Sequence, residues 1–208
     1  MRSTAFSFAA EVEREIEALP TDEFHRRQGR AKVLLEEWYP ISRLAVHLKQ
    51  PGLEVEVEAF GDSGAADGRI EERGFRQRVF DVQVTFVDDY EGSMRRELLR
   101  KQGFTPGAGP ISREKSTGNI QASIAAVDSD HNLKQAASGI AKRFAMKEAK
   151  TYAPTTVLLI AFEDMTLLGH ATWVTLLSLV KAEANLAQTK FAGVYIINCA
   201  TNEIAKAA

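Results

Sequence analysis

Residues 76–87 read Arg76-Gln77-Arg78-Val79-Phe80-Asp81-Val82-Gln83-Val84-Thr85-Phe86-Val87. So much Val and Phe in one run predicts a long β-strand, and its alternation puts Asp81, Gln83 and Thr85 on one face with Val82 and Val84 on the other. Upstream, Leu53-Glu54-Val55-Glu56-Val57-Glu58-Ala59 alternates strictly, as a strand with one wet face does. Between them, Gly61 to Gly64 makes a turn, Asp67-Gly68-Arg69-Ile70-Glu71 a short strand, and Glu72-Arg73-Gly74 a second turn. Three strands on short connections form a meander.

The flanks return to helical spacing. Glu11 to Leu19 is a short acidic helix stopped by Pro20. Thr21 or Asp22 caps a second helix reaching Trp38, with Ala31, Leu34, Leu35 and Trp38 on one face; Pro40 restarts the helix, which ends near Lys49. After the meander comes a basic helix, Met94 to Gln102, then a loop from Gly103 to Gly118 with no regular structure. A helix from about Asn119 to before Pro154, an apolar strand Thr155–Phe162, a helix Leu168–Leu186 and a second apolar strand Ala192–Cys199 complete the chain. Continuous apolar runs on either side of a helix predict parallel pairing covered on both faces. The fold class is therefore α/β, an α-β-α sandwich with a mixed sheet in one domain over 1–208. Residues 1–50 form a helical N-terminal part, 53–162 the core, and 163–208 a C-terminal helix and strand.

A chain of 208 residues, 45% apolar and 26% charged, has the balance of an ordinary globular protein. The single cysteine, Cys199, excludes an internal disulfide framework and a Cys-based zinc cluster. The apolar start is too short for a signal peptide, and Leu167 to Val180 is too short and polar to span a membrane, so the expectation is a cytoplasmic protein with no membrane partner. The net charge of −2 conceals an asymmetry: residues 1–91 carry 12 Lys/Arg against 19 Asp/Glu, and residues 92–150 carry 11 against 5. An acidic part beside a basic one suits a metal–carboxylate site facing a polyanion, although solvated helix faces give the same counts.

Asp67 opens one meander strand and Asp81 lies mid-way along the next, so pairing across the intervening turn can bring them within reach. A mid-strand carboxylate among Val and Phe needs a charged partner or a metal. Two carboxylates with an amide or backbone oxygen make a hard oxygen site suited to Mg2+ or Mn2+. For Asp81 a salt bridge to Arg69 or Arg78 accounts for the residue equally well, and for Asp67 a turn cap before Gly68 does.

The helix bearing Glu37, then strands carrying Asp67 and Asp81-Val82-Gln83, then the helix with Ile140 and Lys147 and the strand Val157–Ile160, resemble the PD-(D/E)XK nuclease superfamily, whose restriction-endonuclease-like core runs α-β-β-β-α-β. The resemblance covers about residues 23–162 and rests on a short motif. It implies a metal-dependent nuclease hydrolysing DNA phosphodiester bonds, with Asp67 and Asp81 holding Mg2+ or Mn2+. It further implies a first-helix glutamate and Gln83 in supporting roles and phosphate contacts from Arg95, Arg96, Arg100, Lys101, Arg113 and Lys115. That glutamate is Glu36 or Glu37, of which Glu37 lies nearer the edge of the apolar stripe; a solvated helix face also explains either. Members that cut both strands are commonly dimers, so a homodimer is an open expectation. The sequence departs from the motif at Gln83, which stands where the family's usual lysine activates the attacking water; an amide orients water but is no base. Lys147, continuing the stripe Leu133–Ala137–Ile140–Phe144, is the candidate for a migrated base; alternatively its stem runs past the core to water. The competing reading is a catalytically silent nuclease-like fold serving as a binding or assembly module in a phage or mobile-element complex.

Other candidates carry less. His131 faces away from the apolar stripe, His170 marks a helix boundary, and Cys199 ends an apolar strand. The glycines of Gly103–Gly109 lack the Lys-Ser/Thr of a phosphate-cradling loop.

Overall fold

A computed structural model describes residues 2–61, 65–88, 90–107, 109–125, 128–165, 167 and 169–208. The expected turn at Gly61–Gly64 lies largely outside them, at 62–64, as do Ala108 of the glycine-rich loop and Leu168.

The chain begins with β1 (Arg2–Thr4), a strand without periodic signal, and Thr4 caps α1 (Ala5–Glu17) by accepting the Ser7 N–H. The first helix thus starts six residues earlier than Glu11, burying Ala5, Phe8, Ala9 and Val12 along one stripe. The second expected helix is broken. α2 (Thr21–Arg26) stops where Arg27 takes a left-handed conformation, φ 49°, and buries its side chain. α3 (Arg30–Val33) then runs into a π-helical turn, Leu34–Trp38, and on into α4 (Tyr39–Leu48). Pro40 does not restart the helix. The wide turn, closed by the Tyr39 N–H on the Leu34 carbonyl, lies just ahead of the proline and the helix continues through it.

The meander forms as β2 (Leu53–Ala59), β3 (Gly68–Gly74) and β4 (Arg78–Phe86), all antiparallel. Glu72-Arg73-Gly74 belongs to β3 and not to a turn, because the buried Glu72 carboxylate is paired with both Arg76 and Arg78. At Gly74 a Cβ would meet the Gly52 carbonyl oxygen at 2.2 Å, so only glycine fits.

α5 (Tyr90–Gln102) follows, and the supposedly structureless segment contributes β5 (Ile111–Arg113), paired with β6 (Ile120–Ala122). Met94, Leu98 and Ile111 give this excursion its own small core. The helix expected from Asn119 is α6 (Ser129–Glu148), whose start is fixed by the Asp128 cap. β7 (Val157–Phe162), α7 (His170–Glu183), β8 (Gly193–Asn198) and β9 (Glu203–Lys206) complete a seven-stranded sheet ordered β1-β2-β3-β4-β7-β8-β9.

The fold is mixed α/β. β7 lies parallel to both β4 and β8, and the remaining pairs are antiparallel. On one face, Phe8 and Val12 of α1 and Ile41 and Leu44 of α4 pack on Val55, Val57, Val82 and Leu159. On the other, Ile140 and Phe144 of α6 and Trp173 and Leu176 of α7 pack on Leu158, Ile160 and Ile196. Among the described residues no helix is long and apolar enough to cross a membrane.

Candidate active site

The β3–β4 ladder ends at Gly68 opposite Val82, while β4 continues to Phe86 against β7 alone. At that end, Asp67 Oδ2 accepts the Val84 N–H at 2.6 Å and the Gln83 side-chain amide. The Asp67 N–H donates to the Val82 carbonyl at 3.0 Å, fixing the backbone that carries the carboxylate. Gln83 stands on the α6 face because Val82 and Val84 fill the opposite core.

Burial holds the Asp67 carboxyl above its ordinary range, against the opposing pull of the Val84 N–H and the Lys147 charge. Lys147, in the last turn of α6, is pushed below the usual lysine range by burial and by Lys150 and Arg143, and drawn back by Asp67 and Glu37. Tyr152, just past α6, is raised by burial and by Asp67. Lys147 at the end of α6 is thus within electrostatic reach of two carboxylates, Asp67 just before β3 and Glu37 of the π turn, while Gln83 of β4 bonds Asp67. A carboxyl pushed up beside a lysine pushed down is the pattern of a site that moves protons.

Glu36 and Glu37 diverge. While Glu37 acts on Lys147, Glu36 is raised by burial within a second group comprising Arg27, Lys32, Asp88 and Arg96.

Asp81 is placed differently from the expected pairing of two aspartates. The register sets it against Arg69, whose Nε donates to Asp81 Oδ1 at 2.8 Å. It belongs to a charged face of the meander, where Glu58, Arg69 and Asp81 share a rung and Arg2 joins Glu56 to Glu71. Among the described residues, no three His, Cys, Asp or Glu side chains converge as a metal cage. The donor chemistry nonetheless fits a hard cation. Asp67 and Gln83, which meet, and Glu37, which reaches Lys147, carry oxygen donors of the kind a hard cation takes, and a carboxylate destabilised by burial gains from a cation beside it.

The expected phosphate-contacting residues are largely engaged within the chain. Arg95 donates to the Pro106 and Gly109 carbonyls, each at 2.6 Å, and so holds the glycine-rich segment. Arg96 grips Asp88 with both Nη atoms, Arg100 pairs with Asp22, and Lys101 and Arg113 pair with Glu97. Lys115 is exposed in the turn between β5 and β6.

Sequence reasoning did not single out Tyr152 or the π turn. Pro40, two residues past Glu-Glu-Trp-Tyr's first aromatic inside a helical stretch, was the available sign of an irregular turn; Tyr152 follows α6 and obeys no period.

The chain matches no protein-family model, and no curated protein or solved structure is significantly similar to it.

Proposed function

We propose that the chain is a metal-dependent nuclease of the PD-(D/E)XK type that hydrolyses DNA phosphodiester bonds, with helix-borne Lys147 replacing the strand lysine. One observation carries the reading: Asp67 and Gln83 meet at the end of the β3–β4 ladder, within electrostatic reach of Lys147. The order α4, β2, β3, β4, α6, β7, with helices on both sheet faces, supports a restriction-endonuclease-like core.

Asp67, Glu37 and the Gln83 amide oxygen would hold Mg2+ or Mn2+, which when bound supplies Lewis-acid polarisation of a phosphoryl oxygen. Lys147, lowered from the usual lysine range by burial, would in its amine form take the proton of the attacking water at Nζ. Gln83 orients that water and, through its bond to Asp67, keeps the carboxylate in place.

The test is nicking of supercoiled plasmid and of labelled single strands with Mg2+ or Mn2+. Cleavage abolished by Lys147→Met and Asp67→Asn supports the assignment; a folded wild-type protein that cuts neither substrate overturns it. The second reading, a silent nuclease-like module, is favoured by Asp81 being tied to Arg69. Titration calorimetry separates the two: metal binding lost in Asp67→Asn supports the enzyme, and no binding at millimolar metal supports the module.

A further inference from the structure

A cleft of about 270 Å³ opens between α2 and α5, away from the Asp67 cluster. His25, Arg26 and Gln28 form one wall; Ser93, Arg96 and Arg100 form the other, spaced so that they share one face of α5. The charges of the cleft are unequally matched. Arg26 and Arg100 share a single carboxylate, with Arg26 Nε 2.6 Å from Asp22 Oδ2 and Arg100 Nη1 3.1 Å from Asp22 Oδ1. Arg96 spends one N–H of each Nη on Asp88, leaving three of a guanidinium's five donors outside that pair. The one carboxylate in the lining, Glu97, is held at about 2 by Arg113 and Lys101, so it is ionised and already matched by cations outside the cleft. The lining itself carries three cations (Arg26, Arg96 and Arg100) against one carboxylate (Glu97), with Asp22 and Asp88 paired to those arginines.

We infer that this cleft binds a phosphate monoester, the terminal phosphate of a nucleic-acid strand. An excess of two positive charges matches a dianionic monoester better than a singly charged backbone diester. Guanidiniums anchored by carboxylates are preorganised forks for phosphate oxygens, and Ser93 adds a hydroxyl. The space admits one phosphoryl group with its sugar and excludes a duplex. Arg96 also acts on Glu36, in the charged group that is separate from the Asp67 cluster. The inference rests on the nucleic-acid reading for the identity of the ligand, but not on catalysis.

The experiment measures binding of short single-stranded DNA by fluorescence anisotropy in EDTA, so that cleavage does not enter. The expected result is that a phosphate-terminated oligonucleotide binds about tenfold more tightly than its hydroxyl-terminated twin, as charge-assisted forks imply. Inorganic phosphate should compete for the difference. Arg100→Gln and Ser93→Glu should each erase it while the melting temperature stays near wild type; Ser93→Glu tests the cleft without disturbing Asp22. Equal affinity of the two oligonucleotides overturns the inference, and so does a preference that survives Ser93→Glu in folded protein. Inorganic phosphate binding as tightly as the phosphorylated strand would make free phosphate the ligand and overturn the strand-end assignment. Plasmid nicking is scored separately, so a phosphate preference without cleavage keeps the cleft and sinks the nuclease, and cleavage without the preference does the reverse.

Discussion

The Val84 N–H donates to Asp67 Oδ2 at 2.6 Å, one step past the last paired rung of β3 and β4. A side chain here does what the neighbouring backbone no longer does. The same oxygen takes the Gln83 amide, so one carboxylate both closes the sheet's hydrogen bonding and anchors the candidate site. Structural and chemical duties coincide at Asp67, and the two can be pulled apart.

Asp67→Ala leaves the Val84 N–H without its acceptor, which costs about 1–3 kcal/mol for a buried donor. Asp67→Asn keeps an oxygen for that N–H and should cost no more than about 1 kcal/mol. Both should abolish cleavage. Urea unfolding beside plasmid nicking checks this; an active Asp67→Asn protein removes the carboxylate from the chemistry.

The pH dependence has a definite sign. Burial raises the Asp67 carboxyl in the folded chain above its unfolded value of 3.8, so the native state binds the proton more tightly than the unfolded one. The contribution of Asp67 is therefore fully present below about pH 4 and is lost as pH rises through the elevated folded value. The stability difference between wild type and Asp67→Asn should shift against wild type as pH climbs from 4 to 7, measured by urea unfolding at each pH. A difference that grows in favour of wild type contradicts the placement.

Lys147 carries a charge that burial disfavours. Lys147→Met should unfold at higher temperature than wild type while lowering kcat about 10²- to 10⁴-fold, the span of a lost general base. Lys147→Arg should be equally slow, because a guanidinium stays protonated. Gln83→Lys, which returns an ammonium beside Asp67, should retain or raise cleavage, and Gln83→Leu should lower it. Equal rates for Gln83→Leu and wild type would show that the amide plays no part.

Glu72 tests the hairpin away from the site. Its carboxylate is fully buried between Arg76 and Arg78, whose side chains are 36% and 37% exposed. Removing one partner of a buried pair costs about 3–5 kcal/mol when the other stays dry. Here both arginines can turn to water, so Glu72→Gln should cost about 1–2 kcal/mol in urea unfolding. Nicking should be unchanged.

The strands were legible wherever burial alternated. Leu53–Ala59 is β2 to the residue because four apolar side chains face α1 and α4 while three glutamates face water. Legibility failed where ion pairs replaced the apolar signal. Glu72-Arg73-Gly74 looks like a turn until Arg76 and Arg78 are known to neutralise Glu72. It failed again where tertiary contacts overrode helical spacing: Arg27 breaks a periodic stretch by burying its guanidinium beside Glu163 and Phe86. At the candidate site, alternation along the strand puts Gln83 on the face of Asp81, but the strand pairing expected from the sequence joins Asp67 to Asp81, whereas the structure joins it to Gln83. The partner of Asp81 is not legible, because a two-residue difference in register decides whether Asp81 stands opposite Asp67 or Arg69.

The π turn at Leu34–Trp38 also makes the chain intolerant of a change in length where it looks most regular. A π turn is an α-helix with one residue too many, so deleting a single residue between 34 and 38 would heal the hydrogen bonding. Every side chain upstream would then rotate by about 100° relative to α4. Arg27 would swing from beneath Phe86, and Glu36 and Glu37 could no longer serve separate neighbourhoods. The repaired helix would be the more ideal one, and the protein built on it would be blind at both of its charged clusters.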